Sequence, residues 1–348
     1  MSAIAAPTTL DHALDPRWLE AVLAPDSGGA PVTAVETVEI IRTMATKVRF
    51  RVTFAGHEAP RSYCLKAFLD VDEAVARGGG GLTTVREADF YALIAPHVAV
   101  RVPQCVASVI DREGQQGLII MRDLVADGAR FCSALEAFDT NDCAGSLEQI
   151  ARLHAGQGLL AAAPWITPRL SNFVERPSVP VPLLQQLLDG PRGEGLPVRV
   201  RDAARLAAAL AALAERDKAR PQFLVHGDSH AGNIYRTAEG PGLIDWQLLQ
   251  RGGWALDIAY HIAAVLPVEL AEREERALLD HYLGVMHGLG LQVPDRETAW
   301  AQYREAAIYG FYLWSMTRRV EPAITETFVQ RLGAAVTRHE SHALLGVD

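Results

Sequence analysis

Along the first third of the chain, apolar and polar residues alternate with a period of two. VETVEII (35–41) and VRFRVTFAG (48–56) carry β-branched residues in this rhythm, and RSYCLKAFL (61–69) continues it, which predicts three strands. AGHEAPR supplies turn chemistry between the last two. The glycine run Gly78–Gly81 reads as a mobile loop. In TTVREADFYALIAP, Thr84 is a candidate helix cap, Glu87 falls in the first turn and Pro96 closes the helix. VRVPQCVASVIDREGQQGLIIMRDL predicts two more strands around a turn at Glu113-Gly114. Five strands and one helix make a small α+β lobe.

Beyond Asp123 the apolar period lengthens to that of a helix. SLEQIARLHAGQGLL, VRDAARLAAALAALAERD and ALDIAYHIAAVL read as helices, as do the stretches 268–290, 297–319 and 322–345. Only 222–248 departs from this, with short extended pieces around two charged motifs. The expected organisation is a β-rich lobe over 1–123, a linker at about 120–125, and a larger helical lobe over 124–348.

Composition narrows the partners. With 33 basic and 42 acidic residues the net charge is −9, which argues against a surface built for nucleic acid or anionic lipid while leaving room for a local basic pocket. The longest apolar run, Leu206–Ala214, is far short of the roughly 20 residues that span a bilayer. The N-terminus lacks the basic start and apolar stretch of a signal peptide, so a cytoplasmic protein is expected. Cys64, Cys105, Cys132 and Cys143 form no C-x-x-C pair, and suggest neither a zinc site nor a disulfide framework. Monomer and homodimer both remain open.

The chemistry concentrates in FLVHGDSHAGNIY (223–235) and GLIDWQ (242–247). Polar residues at the ends of short apolar strands are held rigidly, which suits Mg²⁺, an ion bound by one or two carboxylate or amide oxygens together with phosphate oxygens. Asp228 and Asn233 have the spacing of the catalytic loop of phosphoryl-transfer enzymes, His226 takes the place of that loop's histidine, and Asp245 follows where a second metal-binding carboxylate is needed. Lys66 lies in an apolar strand, where a bare ammonium needs a partner, and Glu87 on the following helix can provide it. Asp228 is thus the candidate catalytic base, Asn233 and Asp245 the candidate metal ligands, and Lys66 with Glu87 the phosphate-orienting pair. His226 and His230 read as loop-bracing residues, because Mg²⁺ prefers oxygen and no further histidines stand at metal spacing. Trp246, Trp254, Tyr309, Tyr312 and Trp314 read as core at helical spacing.

HGDSHAGN and IDWQ resemble the H-G-D-x-H-x-x-N and I-D-(W/F) signatures of the aminoglycoside phosphotransferase and choline/ecdysteroid kinase-like superfamily, over roughly residues 33–320. The resemblance matches CLKAF to the strand lysine, READFYALIAP to the helix glutamate and LIIMRDL, with Met121 and Asp123, to the nucleotide-binding linker. ARLHA resembles the first helix of the helical lobe, and Asp257 of WALDIAY the aspartate that braces the catalytic loop. It implies a protein-kinase-like two-lobed α+β fold: a nucleotide-binding N-lobe, and a C-lobe with the loop 226–233, the motif 244–246 and the acceptor site. It also implies ATP, Mg²⁺ and a small-molecule hydroxyl acceptor such as an aminoglycoside, choline or another alcohol. Three departures stand out. The turn Arg42–Lys47 has no glycine, Arg122 stands where an acidic residue is common, and Ser229 and Ala231 replace leucine and proline.

Other classes fit less well. GDSHAG resembles part of a two-metal phosphoesterase, but the G-N-H element such enzymes need is missing. A protein kinase would carry an A-P-E element after IDW, and only about ten residues separate IDW from WALD. A non-catalytic nucleotide-binding protein has the glycine-free turn as its sole support.

Overall fold

The computed structural model describes residues 5–42, 45–71 and 80–347. They divide into two compact units that do not follow chain order. The first comprises the described parts of Met1–His97, Val102–Arg130 and Ile244–Leu248; the second comprises those of Val98–Arg101, Phe131–Leu243 and Leu249–Asp348. The segment 244–248, which the motif reading grouped with the helical lobe, belongs to the strand-rich unit.

That unit is built on one antiparallel sheet of β1 (Val32–Arg42), β2 (Thr46–Phe54), β3 (Arg61–Ala67), β4 (Cys105–Asp111) and β5 (Gln116–Arg122), in the order β1-β2-β3-β5-β4. Val48, Phe50 and Val52 of β2 and Tyr63, Leu65 and Ala67 of β3 share one buried cluster, each burial contributing about 1.5–3 kcal/mol for a large apolar side chain. The cluster's other wall is helical. Helices α1 (Leu10–Ala13) and α2 (Pro16–Ser27) were not foreseen, and α2 adds Trp18, Leu19, Val22 and Leu23. Asp15 caps α2 by accepting the N–H groups of Arg17 and Trp18 at 3.0 Å each. Pro16 occupies the first position, where its missing N–H costs nothing.

With one face committed to apolar packing, strand alternation turns Arg49, Cys64 and Lys66 to the other. Arg49 lies opposite Cys64, Cys64 opposite Met121, and Lys66 opposite Ile119. Helix α3 (Gly81–Asp89) starts earlier than the sequence suggests. Gly80 and Gly81 already have helical geometry, so they are not part of a loop, while Gly78 and Gly79 lie outside the described residues. Thr84 is consequently inside the helix, its hydroxyl donating to the Gly81 carbonyl at 2.9 Å, and Glu87 is in the second turn. Thr43 and Met44 of the glycine-free turn also lie outside the described residues.

The second unit is mostly helical. Its helices include α4 (Thr140–His154), α5 (Arg169–Glu175), α6 (Val181–Asp189), α7 (Ala203–Lys218), α8 (Ala255–Val265), α9 (Val268–Gly288), α10 (Arg296–Met316) and α11 (Pro322–His339). The extended pieces include β6 (Phe223–Val225), paired antiparallel with β9 (Gln250–Gly252), and the hairpin β7 (Ile234–Thr237)–β8 (Gly240–Leu243). Every residue of α8 is buried, as its near-continuous apolar sequence requires. Its three polar exceptions, Asp257, Tyr260 and His261, therefore need partners inside the protein. All three find them on the loop after β6. Among the described residues, no helix is long and apolar enough to cross a membrane.

Candidate functional site

Each unit carries one of the two polar constellations that the sequence motifs singled out. In the strand-rich unit, β3 presents Lys66, α3 presents Glu87, and the left-handed backbone of Asp245 (φ 67°) turns that carboxylate toward them. Lys66 Nζ lies 2.7 Å from Glu87 Oε2 and 3.1 Å from Asp245 Oδ1. Burial alone would lower the Lys66 pKa, but the two carboxylates outweigh it and push the ammonium above its ordinary value. Burial pushes Glu87 up, with Lys66 opposing. Glu87 Oε1 also accepts the Trp246 N–H at 3.3 Å, and the Trp246 ring stacks on Phe90 with centroids 3.7 Å apart. Two residues of one helical stretch, Glu87 and Phe90, thus fix both sides of the segment that carries Asp245. A non-glycine residue at positive φ costs on the order of 1–3 kcal/mol and persists only when its surroundings impose it.

Asp123, expected at the nucleotide, is buried and engaged by Arg49, whose Nε lies 3.1 and 3.0 Å from its two carboxylate oxygens. Arg49 also reaches Glu39 at 2.8 Å. Sequence reasoning missed Arg49, although strand alternation alone would have placed it on the face of Lys66. Met121 shares that face, opposite Cys64. Arg122 is turned to the opposite face: its Nη2 lies 2.6 Å from Asp26 Oδ1, at the end of α2, and its guanidinium lies over Tyr63. The basic residue at this position is thus balanced by an acid from the unforeseen helix.

In the helical unit, the loop after β6 is held from below by Asp257. Its Oδ2 accepts the His226 N–H at 2.7 Å, and its Oδ1 accepts the Gly227 N–H at 2.8 Å. His154 of α4 lies 3.1 Å from Asp257 Oδ2 and is itself 2.6 Å from the Tyr282 hydroxyl. Ser229 donates to the Asp257 carbonyl at 3.1 Å, and His261 contacts the Ser229 carbonyl at 2.6 Å. His226 Nδ1 accepts the Asp228 N–H at 3.2 Å, and His230 Nδ1 accepts the Gly232 N–H at 3.1 Å. Both imidazoles therefore spend a ring nitrogen on the loop backbone.

Asp228 is oriented through both oxygens. Tyr260 donates to Oδ1 at 3.0 Å while receiving the Trp314 indole N–H at 2.6 Å, and Asn233 Nδ2 donates to Oδ2 at 3.1 Å. A Cβ at Gly310 of α10 would come within 2.6 Å of the Tyr260 ring, so only glycine allows this approach. Asn233 Nδ2 also donates to the Asp228 carbonyl at 2.8 Å. Both bonds use the amide nitrogen, which leaves the amide oxygen for a hard cation. Asn233 in the helical unit offers an amide oxygen and Asp245 in the strand-rich unit a carboxylate, both of the hard donor type that Mg²⁺ takes. Among the described residues, no cluster of three or more His, Cys, Asp or Glu is arranged for a metal.

The bracing of Asp257 has a measurable consequence. Burial would raise its pKa, but the hydrogen bond and charge of His154, the charge of His226 and the Gly227 N–H hold it below the ordinary 3.8. A carboxylate depressed in the folded state contributes stability that is full above its unfolded pKa and lost as pH falls through its folded one. Stability is thus expected to fall below about pH 5, and Asp257→Asn should be less stable at neutral pH with a flatter acid limb. Urea unfolding between pH 7 and pH 3 checks this; an unaltered acid limb in the variant would remove Asp257 from the account.

Solved structures place this fold among kinase-like proteins. A choline/ethanolamine kinase family protein from Mesorhizobium loti is 17% identical, with a TM-score of 0.53, over 94% of this chain and 97% of that one. An ethanolamine kinase from Plasmodium vivax is 14% identical, with a TM-score of 0.50, over 88% and 82% respectively. An aminoglycoside-3'-phosphotransferase of type VIII, 20% identical with a TM-score of 0.44, covers 84% of this chain and 98% of its own. No curated protein matches. The model of the phosphotransferase enzyme family matches residues 41–304, and the chain belongs to that family. Its α+β architecture, an antiparallel sheet unit and a helical unit, is kinase-like.

Proposed function

We propose that the protein is an ATP- and Mg²⁺-dependent kinase of a small hydroxylated molecule. The observation that carries this reading is Asp228, a carboxylate aimed by Tyr260 and Asn233, while the Asn233 amide oxygen has no partner among the described residues. Asp228 orients the acceptor hydroxyl and takes its proton as the new O–P bond forms and the bond between the γ-phosphorus and the β–γ bridging oxygen breaks, leaving ADP. Lys66, held by Glu87, neutralises the phosphates that stay behind. Asn233 and Asp245 would hold Mg²⁺, which offsets the charge of the phosphate oxygens. In a loose transition state positioning dominates, and Asp257, His226 and His230 serve it by fixing the loop. The names of the similar structures support an alcohol of metabolite or antibiotic size as acceptor.

Mg²⁺–ATP is expected to raise the melting temperature by mass action, since only the folded chain offers the site. Asp245→Asn should lose most of the Mg²⁺-dependent part of the shift. Differential scanning calorimetry with ATP, with and without Mg²⁺, reads both effects. A folded protein indifferent to millimolar Mg²⁺–ATP is not a kinase.

A further inference from the structure

Among the described residues, one charge linked to the catalytic loop has no counter-charge within hydrogen-bonding reach. Arg169 opens α5; its Nε is buried without a hydrogen bond, and no acid among the described residues pairs with its guanidinium. The residue is tied to the loop through its neighbour. The Leu170 N–H donates to Gln250 Oε1 at 3.1 Å, Gln250 Nε2 donates to the Tyr309 hydroxyl at 2.7 Å, and that hydroxyl donates to the Gly227 carbonyl at 2.7 Å. Two side chains therefore connect the start of α5 to the residue before Asp228. The guanidinium lies 5.5 Å from the centre of the Phe173 ring, whose centroid is 6.3 Å from that of Tyr312, one turn beyond Tyr309 on α10.

Burial lowers the Arg169 pKa, with Tyr309 and Asp228 acting against it, yet guanidinium stays protonated at any physiological pH. Among the described residues Arg169 forms no ion pair with Asp228, and the relay through Gln250 and Tyr309 is what links the two positions. A partly buried cation without an anion is a costly arrangement. Several other arginines of the same unit do reach partners, Arg192 the carbonyls of Ser315 and Thr317, Arg331 the Ala264 carbonyl and Arg338 Glu275, whereas Arg251, like Arg169, keeps a buried Nε without a hydrogen bond. A cationic acceptor at Asp228 would be repelled by Arg169, whereas an anionic one would complete it.

Resting on the kinase reading above, we propose that the acceptor carries an anionic group, a carboxylate or a phosphate, which Arg169 receives while the acceptor hydroxyl lies at Asp228. Planar, bidentate recognition is what a guanidinium does best.

The test uses glycerate, gluconate and pantothenate for the carboxylate source, glycerol 3-phosphate for the phosphate source, and glycerol, glucose, choline and kanamycin as neutral and cationic counterparts. Phenylglyoxal labelling of Arg169, read by peptide mass, needs no nucleotide. At least one acid is expected to slow labelling about threefold at twice its dissociation constant, by mass action. With Mg²⁺–ATP the same acid should be phosphorylated. Arg169→Gln should raise its KM about tenfold or more while changing kcat less, and Arg169→Lys should fall between, as for one lost charge-assisted contact. Far-UV circular dichroism confirms that both variants fold. The proposal is overturned if no acid protects Arg169, if choline or kanamycin is phosphorylated and the acids are not, or if Arg169→Gln leaves the acid's KM unchanged. Protection by an acid in a protein that does not bind Mg²⁺–ATP would remove the acceptor role and the kinase reading, leaving an anion site alone.

Discussion

Asp228→Asn is expected to lower turnover by about 10²-fold or more while leaving Mg²⁺–ATP affinity near that of the wild type. The substitution keeps the size of the side chain but removes its negative charge and its capacity to take a proton. One of its two anchors should survive, because an amide oxygen can still accept either the Tyr260 hydroxyl or the Asn233 amide. Asn233→Ala should behave differently, weakening metal–nucleotide binding and turnover together. Isothermal titration and steady-state kinetics separate the two patterns. Near-wild-type turnover of an identified acceptor by Asp228→Asn would reduce the loop to a structural role.

The second large effect is expected at Lys66. Lys66→Ala removes a charge that touches both Glu87 and Asp245, and breaking a buried ion pair this way costs about 3–5 kcal/mol. Turnover should fall by about 10²–10³-fold, the scale for removing a group aimed at transition-state charge. Glu87→Ala should lower both quantities as well, since Glu87 positions Lys66 and receives the Trp246 N–H. The double variant should lose less than the sum of the two, with an interaction energy of about 1–3 kcal/mol. Chemical denaturation and kinetics on the full cycle measure this. Strict additivity in both would show that the pair does not act as a unit.

What could be read from the sequence follows from how local each signal is. The apolar strand around Lys66 marked it as an ammonium in need of a partner, and apolar framing placed Asp228 and Asn233 on the loop after a short strand, because both signals lie within about ten residues. Glu87 was found on the right helix but one turn too early, since Gly80 and Gly81 continue the helix despite their low propensity. Helix α2 was missed although Asp15-Pro16 is a legible start signal. The pairings that hold the chemistry in place were illegible for another reason. Arg49 with Asp123, Tyr260 with Asp228, and His154 with Asp257 join residues dozens of positions apart, and periodicity carries no information at that range. The polar interruptions of α8 did announce that something must answer them. They did not say what. The assignment of 244–248 to the strand-rich unit was hidden in the same way, because it depends on Glu87 and Phe90 gripping Trp246.

Phosphorus-31 NMR of the purified protein with Mg²⁺–ATP and a panel of hydroxylated metabolites and antibiotics tests the central claim most directly. The account predicts a new phosphomonoester resonance that grows in step with ADP in the presence of one acceptor and is strongly suppressed with Asp228→Asn. ATP left intact by every acceptor, or ADP formed with inorganic phosphate and no phosphomonoester, would contradict it.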